Sequence, residues 1–206
     1  MFNDGLFADD TWPGAVALSD YFSARPDLVR DKRVLELGAG AALPSLVCCK
    51  LKARYVLITD YPEAGILQNI EYLLSVNSLT SRATVMGYRW GESATTLLSS
   101  PYSNEDTSLP YDVVIMAELL WKDTYHLHQK LLISAYECLT QGGIAYVSFA
   151  KRPVESSDCG KKHNDDDFFT QAVELGFDVK HLACVQKNDV CCRELVEVLI
   201  LSMTKL

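Results

Sequence analysis

The sequence has no Cys-x-x-Cys pair, no basic amino terminus that leads into an apolar run, and no stretch of about 18 uninterrupted apolar residues. Its seven cysteines include the adjacent pairs Cys48-Cys49 and Cys191-Cys192, and none has the spacing of metal ligands. Most of them lie in apolar runs, where cysteine behaves as a small hydrophobe in a reducing compartment. We therefore expect a soluble, cytoplasmic protein with no metal site and no membrane span.

Basic residues are few: 19 lysines and arginines stand against 27 aspartates and glutamates, a net charge of −8. Nucleic-acid binding usually requires a basic face, so this balance disfavours nucleic acid and suits a basic protein or a small molecule as partner. Acidity that only keeps the protein soluble explains the charge equally well. The 206 residues, 49% of them hydrophobic and without an internal repeat, fit a single domain over 1–206.

Strand-like and helix-like patterns alternate along most of the chain, which predicts an α/β fold. Seven strands are predicted, at Arg33–Leu37, Tyr55–Asp60, Ala83–Gly87, Tyr111–Ala117, Gly143–Ala150, Phe177–Val185 and Leu195–Ser202. Helices are predicted at Trp12–Phe22, with Thr11 as N-cap and Pro13 in the first turn, and at Ala42–Ala53, Gly65–Ser75, Glu92–Leu98, Tyr125–Leu139 and Asp165–Leu175.

This order of elements predicts a Rossmann-like, seven-stranded, mostly parallel sheet with helices on both faces and a ligand at the carboxyl ends of its strands. The connection 186–193 between the last two strands is too short for a crossover helix, so these strands should form an antiparallel C-terminal hairpin. The polar segments Ser99–Pro110 and Pro153–Asp167 are predicted to be surface insertions.

The run Val34-Leu35-Glu36-Leu37-Gly38-Ala39-Gly40 combines a buried strand with a glycine turn, and Ile58-Thr59-Asp60 ends the next strand with an acid. Glycine at such a turn lets the backbone approach a ligand closely. The acid can accept hydrogen bonds from both hydroxyls of a ribose. The two segments together predict a site for a cofactor that contains adenosine.

The details of the turn favour one cofactor over another. A dinucleotide site requires a third glycine, and this chain has Ala42 near that place. Glu36 puts a carboxylate near the turn, where it would repel a pyrophosphate and could hold an ammonium group or ordered water. S-adenosylmethionine carries a sulfonium, an ammonium and no phosphate, so the pattern favours it.

With these motifs the chain resembles the seven-strand (class I) S-adenosylmethionine-dependent methyltransferases, and among them methyltransferase family 16, which contains many protein lysine methyltransferases. The similar segments are Trp12 with its helix, residues 34–40, Ile58-Thr59-Asp60-Tyr61-Pro62, Gly87-Tyr88-Arg89-Trp90-Gly91 and Ala117-Glu118-Leu119-Leu120-Trp121. The segments 59–62 and 67–72 are similar to the fungal enzymes that methylate the N-terminal region of translation elongation factor 1A, whose relatives have been labelled nicotinamide N-methyltransferase-like.

The resemblance implies a role for each matching residue. It places residues 1–30 as an N-terminal helix that closes the cofactor site and 31–206 as the seven-strand core. The residues that it implies for cofactor binding are Trp12, Glu36, Gly38, Ala39, Gly40, Asp60, Tyr61, Trp90 and Ala117. The alternative is that both tryptophans are core aromatics and that Asp60 caps a helix. The segment before Trp12 is shorter than in many relatives, which leaves the substrate least defined.

Glu118 and Trp121 match the acid-x-x-aromatic motif of the family, where Asp with Tyr or Phe is more common, and the resemblance implies that they are catalytic. Methyl transfer requires a neutral amine, and an acid can orient that amine while an aromatic ring desolvates it. The alternative for Glu118 is a surface or capping acid. His126 and His128 have no evident nucleophile or metal partner, so both are expected to face solvent.

The leading hypothesis is a protein N-methyltransferase that acts on a lysine side chain or an N-terminal amine, with a basic translation elongation factor as candidate substrate. Asp165-Asp166-Asp167 would suit a basic substrate segment. The second hypothesis is a small-molecule N-methyltransferase for a nicotinamide-like amine, which a closed aromatic pocket would favour. The third is a binding module without catalysis, and the intact cofactor motifs argue against it.

Overall fold

The computed structural model of the protein describes residues 10–99, 109–151, 165–189 and 194–206. The strands are β1 Arg33–Leu37, β2 Tyr55–Asp60, β3 Ala83–Gly87, β4 Tyr111–Ala117, β5 Leu139–Ala150, β6 Phe177–Asn188 and β7 Leu195–Lys205. The α-helices are α1 Pro13–Ala24, α2 Leu43–Lys50, α3 Ala64–Val76, α4 Thr95–Leu98, α5 His128–Cys138 and α6 Asp165–Leu175. Short 3-10 helices cover Pro26–Leu28 and Lys122–Leu127.

The seven strands form one sheet in the order β3-β2-β1-β4-β5-β7-β6. The strands from β1 to β5 run parallel, while β7 pairs antiparallel with both β5 and β6. The Rossmann-like fold and the antiparallel C-terminal hairpin are thus confirmed. Because β1, β2, β3 and β4 are parallel, the segments that follow them converge at one edge of the sheet.

Alternate residues of the inner strands supply the two faces of the core. Leu35 and Leu57 join the apolar layer that α5 and α6 cover, whereas Val34 and Val56 join the layer beneath α1, α2 and α3. Helix α1 packs into this second layer through Phe22, which is fully buried. The packing fixes the start of α1 beside the carboxyl ends of the strands.

Several predicted boundaries are wrong by a few residues. Helix α1 has Trp12 rather than Thr11 as its N-cap, although Pro13 does occupy the first turn. Helix α2 starts only at Leu43, because Ala42 is in the left-handed region with φ of 53°. Helix α5 starts at His128, and the six residues before it form a 3-10 helix instead.

Strand β5 starts at Leu139, ahead of the predicted Gly143, because Leu139 pairs with Tyr111 before an irregularity in the register. The hairpin strands continue past their apolar parts, since main-chain pairing extends to Asn188. The two predicted insertions lie mostly outside the described residues, at 100–108 and 152–164. No helix in the described part of the chain is long and apolar enough to cross a membrane.

Candidate functional site

A cavity of about 720 Å³ opens where the segments after β1, β2, β3 and β4 meet the start of α1. Of the eleven residues that the sequence predicts for the site, ten line it: Trp12, Gly38, Ala39, Gly40, Asp60, Tyr61, Trp90, Ala117, Glu118 and Trp121. Side chains that the sequence did not single out also line it, among them Asp10, Glu92, Leu119, Asp123, Thr124 and Lys130.

The glycine turn forms the floor of the cavity. Gly38 and Gly40 have φ of 65° and 50°, values that favour glycine. A Cβ atom at Gly38 would lie 2.7 Å from the Leu119 side chain and 3.1 Å from the Trp90 ring. The Ala39 N–H donates to the Thr59 carbonyl at 3.0 Å, which ties the turn to β2. The turn therefore keeps its backbone exposed to whatever occupies the cavity.

Asp60 ends β2 and faces this turn. Its Oδ2 accepts the Gly40 N–H at 2.7 Å, and its Oδ1 accepts the Tyr61 N–H at 2.6 Å. Burial raises the pKa of the Asp60 carboxyl above its usual value, while these two donors act in the opposite direction. Each carboxylate oxygen has a second lone pair, so Asp60 can accept further hydrogen bonds from a ligand.

Glu36 is the one predicted site residue that does not line the cavity. Its side chain is buried below the turn, where Oε2 accepts the Ser45 N–H at 3.1 Å near the start of α2. This carboxyl oxygen satisfies one of the main-chain N–H groups in the first turn of α2. Burial raises the pKa of Glu36 to about 8. A contact between Glu36 and a cofactor ammonium stays a prediction, and the contact present in the structure is with α2.

Three tryptophans surround the upper part of the cavity. Trp12 and Trp121 meet edge to face, with ring centroids 4.9 Å apart and planes inclined at 76°. The Trp121 Nε1–H donates to the Glu118 carbonyl at 2.6 Å, which fixes the orientation of the indole. Trp90 lies near Gly38 on another side of the lining. The arrangement provides flat apolar walls beside the turn.

Glu118 holds several elements together at the cavity wall. Its side chain is 5% exposed; Oε2 accepts the Gly14 N–H at 2.7 Å, and Oε1 accepts the Ala150 N–H at 3.0 Å. Its own N–H donates to the Ser148 carbonyl at 2.7 Å, and the Ser148 hydroxyl donates to the Gly14 carbonyl at 2.9 Å. Glu118 itself has φ of 60°. These bonds tie the first turn of α1 to the ends of β4 and β5.

The packing of Gly14 against Glu118 is too tight for a larger residue. A Cβ atom at position 14 would lie 2.6 Å from Glu118 Oε2 and 3.0 Å from the Ser148 carbonyl oxygen. Gly14 was not identified from the sequence, and the only local signal was its place after Pro13 in the first turn of α1. The contact spans 104 residues, so no local pattern could reveal it.

Charged side chains stand at the mouth of the cavity. Asp10, Glu92 and Asp123 are exposed, as are Arg89 and Lys130. The Arg89 guanidinium lies 4.9 Å from the Tyr61 ring centroid and 3.5 Å from Glu92 Oε1. Arg89 is thus engaged by Tyr61 and Glu92, and the other carboxylates of the rim can contact a cationic ligand.

The two histidines differ from each other. His126 is exposed, as predicted, but His128 is only 2% exposed, and the prediction for it is wrong. Its Nε2 lies 3.5 Å from the Thr124 hydroxyl, and its ring packs edge to face on Phe168. No group of three or more metal-ligating side chains occurs among the residues that the structure describes.

Comparison with known proteins bears on the family and the fold of the chain. Residues 3–174 match the model of a family described as lysine methyltransferase. A protein N-terminal and lysine N-methyltransferase of Neurospora crassa is 36% identical over 182 residues, which are 84% of this chain and 62% of that protein. A protein of the same description from Schizosaccharomyces pombe is 31% identical, over 86% of this chain and 67% of its own length. The chain therefore spans about two thirds of these relatives.

Solved structures share the fold at low sequence identity. Protein PH1948 of Pyrococcus horikoshii, provisionally described as an RNA methyltransferase, has a TM-score of 0.70 at 18% identity, covering 100% of this chain and 90% of that chain. A precorrin-6y C5,15-methyltransferase of Geobacter metallireducens has a TM-score of 0.59 at 14% identity, covering 91% and 87%. At identities this low, the similarity shows only that the fold is shared.

Proposed function

The chain belongs to the lysine methyltransferase family, and we propose that it transfers a methyl group from S-adenosylmethionine to a lysine side chain or an N-terminal amine of a protein. One observation carries the proposal: the Gly38–Gly40 turn with Asp60 and the contacting indoles of Trp12 and Trp121 line the same cavity. This arrangement supports a site for adenosine beside an apolar wall for an amine.

The residues of the cavity fit S-adenosylmethionine as cofactor. Asp60 keeps lone pairs for ribose hydroxyls, and the Gly38 backbone leaves room that a Cβ atom would fill. Trp90 and Tyr61 provide aromatic surface, and Ala117 adds little bulk at the end of β4. Ala42 stands near the place of the third glycine that a dinucleotide site requires, which suits a cofactor without a pyrophosphate.

The chemistry requires little from the protein beyond placement. S-adenosylmethionine bound here would supply an electrophilic methyl group to the acceptor nitrogen. A lysine amine with an ordinary pKa near 10.4 must first lose its proton to solvent. Trp121 and Trp12 exclude water from the acceptor, which favours the neutral amine, and their ring faces stabilise the methylated cation that follows.

Glu118 acts in this proposal as a positioning residue. Both of its carboxylate oxygens accept main-chain N–H groups, from Gly14 and Ala150. Through Gly14 it fixes the first turn of α1 and with it Trp12, and through its carbonyl it fixes Trp121. The sequence predicts a direct role on the amine, and the contacts favour control of the indole wall instead.

Glu92 at the cavity mouth pairs with Arg89, and the exposed carboxylates of Asp10 and Asp123 support a cationic protein segment as acceptor. A basic translation elongation factor is the candidate substrate that follows from the sequence resemblance, and the cytoplasm is the matching compartment. Asp166 and Asp167 in α6 are further acids. The side chain of Asp165 is not among those that the structure describes. A protein substrate requires this rim to stay open to solvent.

Incubation of the protein with methyl-labelled S-adenosylmethionine and a cell lysate tests the proposal. We expect label in a protein band near the mass of a translation factor, and mass spectrometry then locates the methylated amine. Asp60→Ala should bind the cofactor at least about tenfold more weakly by calorimetry and transfer less label. Label in small molecules only would point to a nicotinamide-like acceptor, and cofactor binding without any label to a non-catalytic module.

A further inference from the structure

The amino ends of β1, β2 and β3 form a second charged surface, at the end of the sheet opposite the cavity. Six exposed basic residues, which we call the basic edge, lie here: Arg30, Lys32, Lys50, Lys52, Arg54 and Arg82. They are six of the 19 lysines and arginines in a chain whose net charge is −8. About a third of the basic residues of this acidic protein therefore lie at one edge of the sheet.

Main-chain hydrogen bonds hold the basic edge together. The Arg54 N–H donates to the Lys32 carbonyl at 2.8 Å, and the Asp31 N–H donates to the Lys52 carbonyl at 3.0 Å. The Cys49 thiol contacts the Arg82 carbonyl at 3.9 Å. The sheet and its turns thus fix the backbone positions of these basic residues.

A cleft of about 270 Å³ lies within the basic edge, lined by Arg54, Tyr55, Ser81, Arg82, Ala83 and Thr84. A water molecule occupies about 30 Å³ in the liquid, so the cleft has room for a group larger than one water. Two of its side chains are cationic and three carry hydroxyl groups. It contains no carboxylate among its lining residues.

The Thr84 hydroxyl in this cleft is buried and has no hydrogen-bond partner among the residues that the structure describes. Buried polar groups without partners are rare because each costs free energy of desolvation. Neither Arg54 nor Arg82 takes part in an ion pair within the described ranges. Arg54, Arg82 and Thr84, whose hydroxyl is unsatisfied among the described residues, thus line the same small cleft.

We propose that this cleft binds the phosphate group of a small phosphate ester, with the Arg54 and Arg82 guanidinium groups and the Thr84 hydroxyl as donors. Arginine matches phosphate oxygens with two parallel N–H donors, and a hydroxyl adds a third, neutral donor. The net charge of −8 favours a small ligand over a nucleic-acid chain, because the rest of the surface repels a long polyanion.

The cleft is separate from the methyl-transfer site. Tyr55 and Asp60 stand at the two ends of the six-residue strand β2, roughly 16 Å apart at 3.3 Å per residue. Tyr55 lines the cleft and Asp60 lines the cavity. Phosphate binding therefore does not depend on the proposed activity, and loss of one site should leave the other intact.

Titration of the protein with inorganic phosphate and with ribose 5-phosphate, at constant ionic strength against chloride, tests the proposal. We expect saturable shifts of the Ala83 and Thr84 amide resonances with both ligands. Arg54→Ala/Arg82→Ala should weaken binding at least about tenfold. Thr84→Val, which keeps the side-chain volume, should weaken it several-fold. Methyl transfer should stay unchanged in each variant.

The matched control is Lys180→Ala/Lys187→Ala, which removes the same charge from the other edge strand, β6. Phosphate affinity should be unaffected by it. Equal losses in the two double variants would mean diffuse attraction and would overturn the proposal, as would shifts no larger than those of chloride. If only single-stranded RNA bound, with an affinity that rises with its length, the ligand would be a polyanion and not a small phosphate ester. That result would also refute the proposal.

Discussion

Replacement of Glu118 by glutamine is the most informative perturbation of the site. The carboxylate accepts two buried main-chain N–H groups, from Gly14 and Ala150. The glutamine carbonyl oxygen can accept only one of them, and the NH₂ group then faces the other donor. A hydrogen bond to a charged group contributes about 1.5–3 kcal/mol, and an unsatisfied buried N–H costs about 1–3 kcal/mol.

These terms overlap, so we expect Glu118→Gln to lower the free energy of unfolding by about 2–4 kcal/mol. In a domain of this size that loss corresponds to a fall in Tm of about 4–16 °C. Because the start of α1 is released, Trp12 loses its fixed place, and we expect cofactor affinity and turnover to fall together.

The assay combines urea unfolding, calorimetry with S-adenosylmethionine, and kcat for one protein substrate. Glu71→Gln is the matched control, since Glu71 is exposed on α3, and its effect on stability should stay within about 0.5 kcal/mol. A Glu118→Gln protein with unchanged stability and cofactor affinity but a kcat reduced about a hundredfold would refute the positioning argument. Glu118 would then act on the amine itself.

Three further predictions follow from the same contacts. The pKa of Glu36 is about 8 in the folded protein and near 4.5 in the unfolded chain. Between these pH values the folded state binds one more proton than the unfolded state. The free energy of unfolding should therefore fall by at most about 1.4 kcal/mol per pH unit as the pH rises through that window. Glu36→Gln should remove this slope in urea unfolding between pH 5 and 8, and parallel curves for the two proteins would contradict it. Gly38 has φ of 65°, and a Cβ atom there would lie 2.7 Å from Leu119. Gly38→Ala should therefore lower the free energy of unfolding by about 1–2 kcal/mol and abolish the cofactor binding that calorimetry measures. An affinity equal to that of the wild type would show that the turn tolerates a side chain. Trp121→Phe loses the N–H donor to the Glu118 carbonyl but keeps an aromatic ring in the wall. We expect kcat to fall several-fold while the cofactor Kd changes less than about twofold. Equal losses of turnover and of cofactor affinity would place Trp121 in the cofactor site.

Local patterns were sufficient for much of the framework. The first four strands match their predicted bounds. Three of them, β1, β2 and β4, are short runs rich in Val, Ile or Leu, which is typical of a strand buried on both faces, whereas β3 is a partly buried edge strand. The glycine turn and Asp60 lie together because the parallel register places Leu37 beside Thr59. Those parts of the site depend on neighbours in sequence or on neighbouring strands.

The remaining features depend on contacts between distant residues. Nothing near Glu118 indicates that its partners are Gly14 and Ala150, which are 104 and 32 residues away. His128 is buried because α6 brings Phe168 against it, and a helical pattern alone does not specify that neighbour. The basic edge appears only when the strand order is known, since its residues are scattered over 53 positions from 30 to 82.

The bonds between α1 and the end of β5 also constrain the order of folding. The Ser148 hydroxyl reaches Gly14 across 134 residues, and Glu118 reaches it across 104. Contacts of such separation form late, because the entropy of closing a long loop must be overcome first. During synthesis α1 leaves the ribosome long before its partners exist. The indole wall is therefore among the last parts of the molecule to assemble, and a chain released before β5 is complete cannot build it.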